Sequence, residues 1–176
     1  QASSSAASDV YKRQVLPTFM KTAKNLQQKY PSLVVYIPSC RSAFDEIFKK
    51  AFRKYQVKGF VISQKDSAKL KPFIYSLTKI ALCKSGTVNM ELALYGIPQI
   101  VGYRVSRVTA FIAKKILNFK VRFISPVNLL VNKLIIPEFV QREFDEKKIF
   151  SKSCRILEGK SEKIKIKKGY AFLKKE

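Results

Sequence analysis

A chain of 176 residues, 47% of them hydrophobic, is long enough to bury one core, so a single globular unit is expected rather than a disordered segment. Thirty-five Lys and Arg against 12 Asp and Glu leave a net charge of +23, a field that attracts phosphates, nucleic acid or anionic headgroups. Most of the Lys sit between apolar positions, so a solvated surface explains them equally well. With no His, and with Cys40, Cys83 and Cys154 far apart, there is neither a Cys-x-x-Cys metal pair nor a Cys–His nucleophile, and buried free thiols are expected. No apolar run reaches the roughly 20 residues that span a bilayer.

Residues 1–14, QASSSAASDVYKRQ, are rich in Ser and Ala, lack periodicity and have no apolar signal-peptide segment. They read as a leader foreign to the fold, which makes the remainder a fragment of a longer protein, with an α/β domain expected over 15–158 and a basic tail over 159–176. Leu16, Phe19, Met20, Ala23 and Leu26 recur at helical spacing, and Pro31 stops that helix. Leu33–Pro38 is a short β-branched strand, Ser42–Tyr55 a helix and Gly59–Ile62 a second strand. A helix over Asp66–Leu77 leads to a strand over Lys79–Lys84. The next helix runs to Tyr95, closed by Gly96, and Pro98–Tyr103 is the following strand. Short apolar strands separated by helices call for crossovers and burial on both sides. The expected fold is therefore a doubly wound, mostly parallel α/β sheet with helices on both faces. Beyond it lie an amphipathic helix over Ser106–Asn118, an irregular Phe123–Leu130 segment and a helix over Asp145–Leu157. The Lys-rich stretch from Gly159 reads either as a basic membrane-surface helix or, preferred here, as a solvated end.

The segment CKSGTVNMELALYGIP (83–98) carries the most chemistry. A strand turning through Ser85-Gly86-Thr87 into a helix presents unpaired amides and two hydroxyls at the carboxyl end of a sheet, where such folds bind ligands. Gly86 leaves room for a phosphate to approach the backbone, and Ser85 and Thr87 either cap the helix or donate to phosphate oxygens. Glu91 falls outside the capping-box position for either cap. It shares a face with Thr87 and fits two roles: acceptor for a ribose diol, or a carboxylate balancing the helix dipole. Arg104 and Arg107, with Lys114 and Lys115, are candidates for a lipid phosphate or headgroups; a solvated amphipathic face explains them as well.

SGTVNMELALYGIPQIVGYR (85–104), FISPVNLLVN (123–132) and IIPEFVQ (135–141) resemble, in order and spacing, the C-terminal half of the lipid-A-disaccharide synthases, over roughly Leu16–Ile149. That resemblance implies the second, Rossmann-like domain of a glycosyltransferase-B fold (glycosyltransferase family 19). It further implies an inverting hexosyl transfer from UDP-2,3-diacylglucosamine to a 2,3-diacylglucosamine 1-phosphate with release of UDP, without metal or other cofactor. Ser85, Gly86 and Thr87 would then lie near the diphosphate, Glu91 at the nucleotide sugar, and Asn128 in a loop facing the cleft. The family's Gly-Ser-Arg turn before the first helix is missing, as is the N-terminal domain that supplies the proposed base, so the fragment is expected to be inactive alone. Peripheral contact with the cytoplasmic face of the inner membrane (or an organellar location) and a homodimer complete the expected partners. Rival functions are a UDP-sugar epimerase or other transferase half, and a non-enzymatic basic module. Nucleic acid is disfavoured, because no recognition signature is present and the basic residues are spread along the chain.

Overall fold

The first helix, α1 (Leu16–Lys29), shows how the apolar spacing becomes structure. Pro17 occupies its first turn, where a missing N–H costs nothing, and Leu16, Phe19, Met20, Ala23 and Leu26 form its buried stripe. The Tyr30 N–H still reaches Leu26 O, and Pro31 follows. The computed structural model describes residues 14–39, 41–104 and 122–173. Cys40, Arg107, Lys114, Lys115, the helix expected over 106–118 and all but the last residue of the 1–14 leader fall outside them.

After α1 come β1 (Val35–Pro38), a 3-10 turn (Ser42–Phe44), α2 (Asp45–Tyr55), β2 (Gly59–Ile62), α3 (Gln64–Leu77), β3 (Ala81–Lys84), α4 (Val88–Leu94) and β4 (Gln99–Tyr103). The chain continues with α5 (Pro126–Val131), β5 (Glu138–Val140), a 3-10 turn (Gln141–Glu143), α6 (Glu146–Glu158) and α7 (Lys160–Leu173). Every strand pair is parallel, as the strand-helix alternation requires. The ladders form two groups: β1 with β2, in register Val35↔Gly59, and β3–β4–β5, in register Ala81↔Gln99 and Val101↔Glu138. The expected parallel α/β architecture is thus present.

Side-chain alternation separates the two faces of the β1–β2 ladder. Val35, Ile37 and Val61 pack against α1 and α2 through Met20, Phe48 and Phe52. Tyr36 and Ile62 pack on the opposite face against Ile74 and Tyr75 of α3. The larger core lies around β4, where Ile100 and Val101 are fully buried among Phe19, Val127, Phe144, Ile149 and Ile156. Gly102 lets this layer close. A Cβ there would stand 2.1 Å from the Phe144 ring and 2.7 Å from Phe19, and these two rings meet edge to face at 5.2 Å.

Three segments differ from expectation. The 123–130 stretch contains α5, started by Pro126 and capped by the Ser125 hydroxyl, which accepts the Asn128 N–H. Glu138–Val140 is a strand, too short and too mixed in composition to stand out. Residues 160–173 of the expected solvated tail form α7 instead, because Ile166, Gly169, Tyr170 and Leu173 recur at i, i+3, i+4 and i+7 and are buried. The lysines took the other faces of that helix and masked the stripe.

Candidate functional site

β3 ends at Lys84, and the chain turns through Ser85, Gly86 and Thr87 into α4 at the carboxyl end of the sheet. The Asn89 N–H closes on Gly86 O and the Met90 N–H on Thr87 O. Neither Ser85 nor Thr87 is a side-chain cap. The Ser85 hydroxyl donates to Ile124 O at 2.5 Å and ties the turn to the loop before α5. Among the described residues no atom lies within 4 Å of where a Cβ on Gly86 would stand, so the approach to it is open. Among the described residues the Thr87 and Val88 amides meet no backbone or side-chain acceptor. A helix start with free amides and an open approach suits an anion.

Asn89 holds this turn from below, a role that no feature of its neighbours in sequence suggests. It is fully buried; its Oδ1 accepts the Gly86 N–H at 2.8 Å, and its Nδ2 donates to Gln99 Oε1 at 3.0 Å and Cys83 Sγ at 3.1 Å. Gln99 returns a bond from Nε2 to Asn89 O and another to Tyr170 Oη, which donates to Ile97 O. Burial drives the Cys83 thiol up to about 12, opposed only by the Asn89 hydrogen bond. It is a thiol at neutral pH, with no nucleophilic character. Only a polar residue inside an apolar strand, Gln99, hinted at this network.

Glu91 lies one turn into α4 and pairs with Lys71 of α3 at 2.7 Å, its side chain about one-third exposed at 34%. Tyr75 stands beside it, its ring edge-on to Tyr95 at 4.9 Å. Burial first, and the Glu91 charge second, push the Tyr75 hydroxyl up to about 12. Lys71 thus positions the carboxylate, which keeps oxygen lone pairs beyond those the ion pair uses.

Asn128 is built into the fold. Its side chain is fully buried, donates to Ile136 O and Glu138 Oε1 at 2.8 and 2.7 Å, and accepts from the Ile135 and Ile136 amides at 2.8 and 3.0 Å. All four hydrogen-bonding positions are used, so Asn128 shapes the loop rather than facing the cleft. Glu138 completes the clamp by accepting the Ile124 and Ser125 amides and the Ser125 hydroxyl. Arg104 likewise points inward: its guanidinium donates to Phe144 O at 2.6 Å and lies 5.3 Å from the Phe144 ring centre. The structure therefore brings Ser85, Gly86, Thr87 and the loop of Asn128 together, with Glu91 on the adjoining helix face. It turns Arg104 toward the 141–144 segment.

Parallel strands, crossover helices and one open, amide-bearing turn at a strand's carboxyl end define a Rossmann-like α/β domain. The profile of the family described as Lipid-A-disaccharide synthetase matches residues 4–175. The chain belongs to the lipid-A-disaccharide synthase family. It is 41% identical over 162 residues to the lipid-A-disaccharide synthase of Prochlorococcus marinus (strain MIT 9313), covering 92% of this chain and 41% of that protein. The synthases of Gloeothece citriformis (strain PCC 7424) and Synechocystis sp. (strain ATCC 27184 / PCC 6803 / Kazusa) are 32% and 28% identical over the same 92% of the chain. The chain spans about two fifths of the length of these relatives, 41%, 41% and 40% respectively. Among the described residues no helix is long and apolar enough to cross a membrane.

Proposed function

We propose that this chain is the donor-binding half of an inverting glycosyltransferase that joins UDP-2,3-diacylglucosamine to a 2,3-diacylglucosamine 1-phosphate and releases UDP. The observation that carries it is the open Gly86 turn, with free amides at Thr87 and Val88 and the Glu91 carboxylate four residues beyond Thr87, in a chain matching the family over 4–175. The turn would take the diphosphate, and Glu91 would accept the ribose hydroxyls while Lys71 keeps it aimed. The acceptor hydroxyl oxygen bonds to the anomeric carbon as the bond from that carbon to the β-phosphate oxygen breaks. UDP leaves with the electron pair, and the hydroxyl proton passes to a base outside this chain.

Membrane contact is proposed to be peripheral. An apolar groove of about 530 Å³ lies between α5 and α7, with Leu134, Ile164 and Phe172 exposed along it and Lys133, Lys165 and Lys168 at its rim. That chemistry suits an anionic headgroup layer.

Calorimetry with UDP tests the donor site. Binding that falls about tenfold in Glu91→Ala, the loss of roughly 1.4 kcal/mol expected for a hydrogen bond to a charged group, supports it; unchanged affinity removes Glu91 from the site. The chain alone should show no disaccharide formation in a radiolabelled-acceptor assay, and turnover would refute its dependence on a second domain.

A further inference from the structure

One residue brackets the glycine of the open turn. The Asn89 Oδ1 accepts the Gly86 N–H at 2.8 Å, and the Asn89 N–H closes on Gly86 O at 3.0 Å. In a trans peptide the N–H lies opposite the C=O, so holding Gly86 O toward Asn89 turns the Thr87 N–H away from the helix. Thr87 O, taken by the Met90 N–H, does the same for the Val88 N–H. Sterics do not hold these peptides. Gly86 has no Cβ, and among the described residues no atom lies within 4 Å of where one would stand. The bond from the Ser85 hydroxyl to Ile124 O fixes the place of the turn but not the plane of the peptide that follows. The direction of the two amides without an acceptor is therefore set through Asn89.

A carboxamide has two ends of similar size, and only its oxygen can hold an amide N–H. Which end of Asn89 faces Gly86 is decided by groups further away. Ile97 O can only accept, so the Tyr170 hydroxyl donates to it at 2.9 Å and turns a lone pair to Gln99 Nε2 at 3.1 Å. Asn89 O takes the other Nε2 proton at 2.9 Å. Gln99 must then present Oε1 to Asn89, which answers with Nδ2 at 3.0 Å and keeps Oδ1 for the Gly86 amide. Cys83 Sγ and Lys84 O accept from the same Nδ2 at 3.1 and 3.4 Å and agree with that sense. Burial holds the Tyr170 hydroxyl well above its ordinary range, so its proton stays in place at neutral pH. Asn89 and Gln99 are fully buried and Tyr170 is 2% exposed, so bulk water does not replace a lost partner. A reversed Asn89 would set Nδ2 against the Gly86 N–H, donor against donor, and the Gly86 peptide would have to turn.

We propose that Tyr170, Gln99 and Asn89 are positioning residues for the donor phosphates: a one-way chain of hydrogen bonds from α7 through β4 that sets the direction of the Gly86 turn without touching the ligand. The ligand it serves rests on the nucleotide function proposed above; the chain itself rests only on the hydrogen bonds.

The test pairs UDP calorimetry with amide exchange by NMR in the unaltered 176-residue protein, in Tyr170→Phe and in Ser153→Ala. Tyr170→Phe keeps the ring and removes the oxygen at the head of the chain. Ser153→Ala removes an equally buried hydrogen bond, from the Ser153 hydroxyl to Ile149 O within α6, and controls for stability alone. Tyr170→Phe should bind UDP about threefold more weakly and exchange the Gly86 amide about threefold faster, the loss of one neutral hydrogen bond. Ser153→Ala should keep the affinity of the unaltered protein. Unchanged UDP affinity in folded Tyr170→Phe overturns the proposal, as does an equal loss in Ser153→Ala. Should Tyr170→Phe not fold, the unaltered protein decides by reciprocity. If the chain aims the site, saturating UDP must stiffen the chain and slow exchange of the Asn89 and Gln99 carboxamide protons about threefold; equal rates with and without UDP reject the proposal. No UDP affinity in the unaltered protein would reject the donor site. A faster Gly86 amide in Tyr170→Phe would then still show the turn being set from α7, and an unchanged one would reject that too.

Discussion

The turn after β3 and the loop before α5 touch through Ser85 and Ile124, yet they are built in opposite ways. Among the described residues the Gly86 turn leaves two amides without an acceptor and open space beside the glycine. The loop of Ser125 and Asn128 spends every side-chain position on protein partners, with Glu138 gathering three donors from residues 124 and 125 and a fourth from Asn128. On the function proposed above, the first region takes the ligand and the second supplies the rigidity that aims it. Two residues that look alike on a motif map, Gly86 and Asn128, should therefore respond differently to mutation: one should change binding and the other folding.

The largest effect should come from Asn128→Ala. It strands the Ile135 and Ile136 amides and two acceptors, and about 3 kcal/mol of stability should disappear in urea denaturation. A loss under 1 kcal/mol would erase the contrast between the two regions. Gly102→Ala comes next, at about 2 kcal/mol, because the new methyl meets the Phe144 and Phe19 rings. Differential scanning calorimetry should show the lower midpoint.

A third effect depends on pH. Folding raises the Cys83 thiol from 9.0 to about 12, so the folded chain keeps a proton that the unfolded chain gives up. The associated stability is complete below pH 9 and is lost as pH rises toward 12. Urea midpoints measured from pH 8 to 11 should fall more steeply for the native sequence than for Cys83→Ala, and parallel slopes would mean that the thiol is not shielded. The smallest structural effect belongs to Gly86→Ala, within about 0.5 kcal/mol of the native sequence because the space is open. Its effect on UDP titrations should nonetheless be clear, with weaker binding at unchanged stability.

Strand-helix alternation was legible because hydrophobic period reports directly on burial: Leu16 to Leu26, Gly59–Ile62 and Pro98–Tyr103 lie where their spacing put them. α7 was not, since seven lysines between Gly159 and Glu176 hid the helical spacing of the four buried residues Ile166, Gly169, Tyr170 and Leu173. β5 was missed because three residues hold too few alternations to register. In the site, the turn at Ser85–Thr87 could be found from residue types, since Gly and hydroxyl residues between strand and helix have few alternatives. The Asn89–Gln99–Tyr170 network could not, because its hydrogen bonds join residues up to 71 positions apart. Motif position likewise could not reveal that the Asn128 amide and the Arg104 guanidinium turn inward, which depends on Ile136, Glu138 and Phe144 arriving from elsewhere in the chain.

The separation of Gln99 from Tyr170 also bears on biosynthesis. At about 5–20 residues per second a ribosome needs roughly 4 to 14 s to travel between the two codons. Throughout that interval the Gln99 amide lacks its tyrosine, and the side of β4 that α7 will cover stays bare. Closure of this core therefore waits until residue 170 has been made, and nascent chains stalled before that codon should be the ones that chaperones retain.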